Sequence, residues 1–224
     1  LPAARGALSR LSFVSTLFHS ARKLDASGEV DSFWMLVEGD TITSVGSGSE
    51  HPDASQQVDV GGQWLVPGFI DLHGHGGGGH AYDDGRDALL AAVATHRAHG
   101  TTRSVISLVA NPLEVLAAQL GVIAEVAASD PLILGAHLEG PFLAAEQRGA
   151  HNPEFLLEPT PVVVDELLHG ARGTLRQLTL APELPGALEA IDVLVAAAVS
   201  VAVGHTTADL ETTREAFDRG ARIL

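Results

Sequence analysis

The sequence predicts an α/β protein: a small β-domain over residues 1–64, then an incomplete (β/α)8 TIM-type barrel over residues 65–224. Three observations carry that reading. From Leu65 onward, nearly continuous apolar runs alternate with helix-spaced segments, the pattern of parallel strands covered by helices. Histidines and glutamates gather at the C-terminal ends of those runs, not inside them. In a barrel every strand end opens on one mouth, so groups distant in the chain can meet there.

The first part contains short β-type runs at Leu11–Val14, Phe33–Val37, Thr41–Val45 and Gln57–Val60, with a hairpin turn at Glu38-Gly39-Asp40. Barrel strands are expected at Leu65–Leu72, Thr102–Val109, Leu132–Leu138, Leu175–Ala181, Ser200–Val203 and Arg222–Leu224. Between them, Leu113, Leu116, Leu120, Ile123 and Ala127 share one helix face. Leu210, Thr213 and Phe217 share another, with Asp209 placed to cap its start and Gly220 its end. Gly100 stops a helix that begins near Asp87. A closed barrel takes on the order of 250 residues. The chain is therefore expected to be a fragment, inactive and poorly folded alone because its sheet keeps an open edge.

Composition narrows the function. The 224 residues are 46% hydrophobic and 18% charged, enough to bury a core. Net charge is −15, with 28 acidic against 13 basic residues, which excludes nucleic acid as the natural partner. No apolar run reaches the ~18 residues of a membrane span, so no membrane partner is expected. No signal peptide is evident and no initiator Met is present; a cytoplasmic location follows as the expectation. Without cysteine there are neither disulfides nor thiolate ligands, and Lys23, the single lysine, lies far in sequence from every candidate site residue.

Four segments carry chemistry. Val66-Pro67-Gly68-Phe69-Ile70-Asp71-Leu72 leads into His73-Gly74-His75 and a run of four glycines. Alternate residues of a strand share a face, so the two imidazoles would converge at its end, with the glycines leaving room for a ligand. In His137-Leu138-Glu139-Gly140-Pro141-Phe142, Glu139 ends a strand and can bridge two divalent ions. His137 reads equally as a ligand or as a packing or supporting histidine that holds the ligands in place. Arg148-Gly149-Ala150-His151-Asn152-Pro153 offers a cation, an imidazole and an amide for a polar or anionic substrate. Val203-Gly204-His205-Thr206 places a further histidine at a strand end. His19, His51, His80, His96, His99 and His169 have no converging partners in sequence; for His96, His99 and His169, surface or capping roles are expected.

Together these segments, with Leu180-Ala181-Pro182-Glu183, resemble the N-acetylglucosamine-6-phosphate deacetylases of the amidohydrolase superfamily. The resemblance implies a metal-binding barrel and hydrolysis of the acetamide of a phosphorylated amino sugar. It implies Glu139 and His205 as metal ligands, with His73 and His75 completing a second position. It implies zinc, one or two ions, with Fe2+ as the alternative. His151 would contact substrate, alongside Gly140, Arg148 and Asn152. The proton-shuttling aspartate and a further metal histidine are expected beyond residue 224, so no catalytic residue is assigned within the chain, and the intact protein is expected to be a homodimer. Two rival readings are a metal-dependent hydrolase of cyclic amides or amines, and a non-catalytic amidohydrolase-like chain.

Overall fold

The computed structural model describes residues 14–224. Chain contacts divide the protein into two units, with the boundary between Pro67 and Gly68.

In the first unit, β1 (Ser15–Asp25), β2 (Gly28–Glu38) and β3 (Thr41–Ser47) form an antiparallel meander. Against β1, β4 (Gln56–Asp59) and β5 (Trp64–Leu65) pair in parallel. The hairpin at Glu38-Gly39-Asp40 forms as expected, with Gly39 at φ +64° where a side chain would be strained. The run Leu11–Val14 lies outside the described residues except for Val14, which precedes β1. β1 itself carries no clear signal in sequence. Its register shifts at Phe18/Ala21 and Ala21/Lys23 break the period-two pattern that marks a strand.

The second unit starts with β6 (Phe69–Asp71) and a small hairpin, β7 (Gly76–Gly77) with β8 (His80–Ala81). Then come α1 (Arg86–Arg97), β9 (Thr101–Val109), α2 (Leu113–Ser129), β10 (Ile133–Glu139) and α3 (Pro161–Ala171). β11 (Leu175–Leu180), α4 (Ala187–Ala196), β12 (Ser200–Val203) and α5 (Leu210–Asp218) complete it. The sheet order is β6-β9-β10-β11-β12, every pair parallel. Strand order thus follows chain order with no reversal, and the sheet curls as a half-barrel. Ile106, Leu108, Leu138, Leu178 and Val201 from the sheet pack with Leu116, Leu120 and Ile123 of α2, all buried.

Three expectations are corrected. The run Leu65–Leu72 is not one strand: Leu65 pairs with the first unit's sheet and Phe69–Asp71 with β9. Pro67 has no N–H for a ladder, and Gly68 sits so close to the Thr102 side chain that a Cβ there would collide with it. Arg222–Leu224 is reduced to a single parallel bridge, Ala202 to Ile223. α5 buries Ala216 and leaves Leu210 and Phe217 exposed, although its start is capped by Asp209, which accepts the Thr212 N–H at 2.8 Å.

β10 carries the irregularity that matters most. Its register against β9 shifts between Ile133 and Gly135, and against β11 between Ala136 and His137. Gly135 lies at φ +138°, and a Cβ there would run into the backbone oxygen of Thr174. Such a bulge re-aims the residues that follow, here His137 and Glu139. Gly135→Ala should therefore lower stability by about 2–3 kcal/mol, measured by urea unfolding. A loss below about 0.5 kcal/mol, the range of ordinary surface substitutions, would show that the bulge tolerates a side chain.

Candidate metal centre

Three loops, at the C-terminal ends of β6, β10 and β12, bring four imidazoles onto one carboxylate. Glu139, the last residue of β10, has its side chain 13% exposed. Its Oε2 lies 2.8 Å from His75 Nε2, 3.5 Å from His73 Nε2 and 3.6 Å from His151 Nε2. Its Oε1 lies 3.0 Å from His205 Nε2. Two sets of possible ligand atoms share it: His73, His75 and Glu139 on one side, Glu139, His151 and His205 on the other. Within each set the atoms lie within 4.8 Å of one another. Hydrogen bonds from His151, then His75, and next His205 hold the Glu139 carboxyl well below the usual carboxylate range, against the effect of burial. The same contact with Glu139 raises the pKa of His75, with burial opposing it.

At His205 and His151 the hydrogen bond of the outer nitrogen fixes what the inner one can do. His205 Nδ1 donates to the carbonyl of Gln147 at 2.8 Å, so in the neutral ring Nε2 keeps its lone pair toward Glu139. A lone pair facing a carboxylate at 3.0 Å needs a proton or a cation between them. His151 is the opposite case. Its Nδ1 accepts the Ala110 N–H at 3.2 Å, so the neutral ring carries its proton on Nε2, pointing toward Glu139. By hydrogen bonding, His205 presents a lone pair toward Glu139 and His151 a proton. His73 Nε2 and His75 Nε2 are 3.1 Å apart, a spacing that also calls for a shared proton or cation. Imidazole nitrogens around one carboxylate are the donor set of zinc and related divalent ions.

Beneath this layer, His137 is fully buried. Its Nδ1 meets Ser107 Oγ and its Nε2 meets Thr179 Oγ1, both at 2.9 Å, and its ring packs edge-on to His73 with centroids 4.6 Å apart. Burial, then the neighbouring His73, pushes its pKa down to about 3, so the ring is neutral. Both nitrogens are occupied: His137 supports His73 and is not in either ligand set. Asp71 Oδ1 accepts the His73 N–H at 3.2 Å, and Ser107 Oγ accepts the Gly74 N–H at 3.2 Å.

Two glycines of the run, Gly77 and Gly78, pack closely against α1. A Cβ on Gly77 would lie 2.8 Å from His96 Nε2, and one on Gly78 would strike Thr95 Oγ1. His96, expected at the surface, donates from Nε2 to the Gly76 carbonyl at 2.9 Å and so fastens the loop behind His75. His19 and His51 stack on each other in the first unit, ring centroids 5.5 Å apart. His99 Nδ1 donates to Thr95 O at 2.8 Å within its own helix end.

A cleft of about 440 Å³ opens beside the ligand sets. His75, Glu139, His151 and His205 line it together with Asn152, Asn111 and Phe155. Asn152 Oδ1 accepts the Glu154 N–H at 3.1 Å. Arg148 is not among the lining residues; its Nη1 donates to Ala145 O at 3.2 Å, and its buried Nε has no partner. Gly140, at φ +91°, packs against Leu143 and Ala110. Glu183 belongs to neither ligand set and binds the turn after His205. Asn111 and Asp83 were not singled out in sequence. Asn111 Nδ2 donates to Asp83 Oδ1 at 3.2 Å, and burial raises the Asp83 pKa although the Val109 N–H bonds it too. The signal for Asn111 is its position: it lies two residues past the end of β9, as the other polar mouth residues lie at or just past their strand ends.

No protein-family model matches the chain. Among curated proteins, it is 32% identical over 209 residues to an N-acetylgalactosamine-6-phosphate deacetylase of Escherichia coli O157:H7, covering 92% of this chain and 54% of that protein. It is 37% identical over 180 residues to an N-acetylglucosamine-6-phosphate deacetylase of Bos taurus, covering 76% and 44% respectively. Among solved structures, an N-acetyl-D-glucosamine-6-phosphate deacetylase mutant from Mycobacterium smegmatis, in complex with N-acetyl-D-glucosamine-6-phosphate, superposes with a TM-score of 0.86 at 39% identity. That match covers 92% of this chain and 54% of the other. The chain spans about half the length of the relatives it matches.

The two tautomers lead to distinct outcomes. Glu139→Gln should strip most bound metal in elemental analysis of the purified protein, since the carboxylate is common to both ligand sets. His151→Asn should leave metal content unchanged, because its inward nitrogen carries a proton. Metal lost from the His151 variant as fully as from the Glu139 variant would contradict the donor assignment.

Proposed function

Because the chain is a relative of the N-acetylglucosamine-6-phosphate deacetylases, we propose that the whole protein hydrolyses the acetamide of N-acetylglucosamine 6-phosphate. The products are glucosamine 6-phosphate and acetate. The observation that carries this reading is the Glu139 carboxylate shared by two ligand sets, with the His151 Nε2–H directed at the same point. His73, His75 and Glu139 hold one divalent ion, and Glu139 with His205 hold a second; zinc is the preferred metal and Fe2+ the alternative. A bound divalent ion supplies Lewis acidity toward an amide carbonyl and a nucleophile at neutral pH.

The chain's own groups do the rest of the positioning. His151 donates from Nε2 to the oxygen of the acetamide, where negative charge develops. Asn152, which lines the cleft, contacts the sugar end, and Gly140 and Arg148 are assigned to the same subsite. Proton delivery to the leaving amine is assigned to no residue in 1–224; the resemblance gives it to an aspartate further along. On the same reading the half-barrel is part of a (β/α)8 barrel, the β-domain is a separate unit, and the protein is a cytoplasmic homodimer.

The E. coli relative is named for the galactosamine epimer, so the 4-epimer is the competing substrate. Acetate release by the whole protein with zinc should be much faster from N-acetylglucosamine 6-phosphate than from the unphosphorylated sugar. It should exceed that from N-acetylgalactosamine 6-phosphate. His151→Asn should lower kcat by about 10²–10³-fold, as loss of one oxyanion donor does. Turnover of cyclic amides alone, or equal rates with and without the phosphate, would refute the assignment.

A further inference from the structure

Glu183 stands three residues past the end of β11 in Pro182-Glu183, a carboxylate at the mouth that neither ligand set uses. Its oxygens are fully engaged elsewhere. Oε1 accepts the Thr207 N–H at 2.6 Å and the Thr207 hydroxyl at 3.0 Å, and Oε2 accepts the Thr206 hydroxyl. Thr206 Oγ1 in turn accepts the Ala208 N–H at 2.9 Å. The segment so gripped begins one residue after His205.

His205 is itself in an uncommon conformation. Its φ is +52°, the left-handed region that a non-glycine residue avoids unless its surroundings enforce it. The enforcement comes from both sides. Ahead of it, the Gly204 N–H bonds Leu180 O at 3.1 Å. At the residue itself, the carbonyl accepts the Ala144 N–H at 2.9 Å, and Nδ1 donates to Gln147 O at 2.8 Å. Behind it, among the described residues, Glu183 alone supplies the hydrogen bonds from another side chain that fix Thr206 and Thr207. A carboxylate suits this place because three donors converge on it and it carries no donor of its own.

We propose that Glu183 is a positioning residue: it clamps the Thr206–Thr207 turn and thereby holds the His205 imidazole against Glu139. The inference rests on the metal reading given above. It also separates Glu139, which meets the metal, from Glu183, which grips the turn that follows His205. Removing such an outer partner typically weakens metal binding by about 10–100-fold.

The test is zinc titration of the whole protein against a chromophoric chelator, with wild type, Glu183→Ala and Glu183→Gln compared at a temperature where circular dichroism shows all folded. Glu183→Gln keeps the side-chain volume should the alanine variant not fold. The expected result is a loss of about 10–100-fold in affinity for one equivalent of zinc, the other equivalent keeping its wild-type affinity through His73 and His75. Wild-type affinity for both equivalents would overturn the clamp. An equal loss for both would also overturn it, because a general loosening does not choose between positions. Wild-type protein that takes up no zinc would refute the metal reading, and this inference with it.

Discussion

The second unit is organised around one carboxylate. Glu139 sits at the end of a strand that is otherwise buried, with four imidazole nitrogens within 3.6 Å of its oxygens. A charge in that position is unstable without partners, and the partners come from loops separated by up to 66 residues of chain. Parallel pairing of consecutive strands makes this possible, since each strand delivers its C-terminal end to the same side. The bulge at Gly135 and the buried hydroxyls around His137 are the local devices that aim the carboxylate and its nearest imidazoles.

The histidines around Glu139 are of one residue type but have different roles, and the difference lies in what each presents to the backbone. His205 gives its outer proton to a carbonyl; His151 takes one from an amide. A single centre can therefore hold a cation and keep a proton donor beside it. Such division of labour among identical side chains is set by the second hydrogen bond rather than by distance to the shared carboxylate. Glu183 extends the same logic outward, since its three bonds act on the turn that carries His205.

The parts of this arrangement legible in sequence are the local ones. His73-Gly74-His75, Glu139 and Gly204-His205 stand out because each follows an apolar run, and a strand end is a local feature. The helix face through Leu116, Leu120 and Ile123 was legible for the same reason. What escaped was long-range. The Gly76–His96 bond joins residues 20 apart, and the Ala110–His151 bond that fixes a tautomer joins residues 41 apart. The contact of the glycine run with α1 also escaped, because glycine reports only that backbone can come close to something; at Gly77 and Gly78 that is α1. β1 escaped because its bulges erase the alternation that identifies a strand.

The most direct measurement is anomalous diffraction at the zinc edge from crystals of the whole protein grown with zinc. Two peaks should flank the Glu139 carboxylate, one among His73, His75 and Glu139, the other between Glu139 and His205, with His151 Nε2 outside bonding distance of both. Zinc ligated by His151, or anomalous density away from Glu139, would contradict the shared-carboxylate centre.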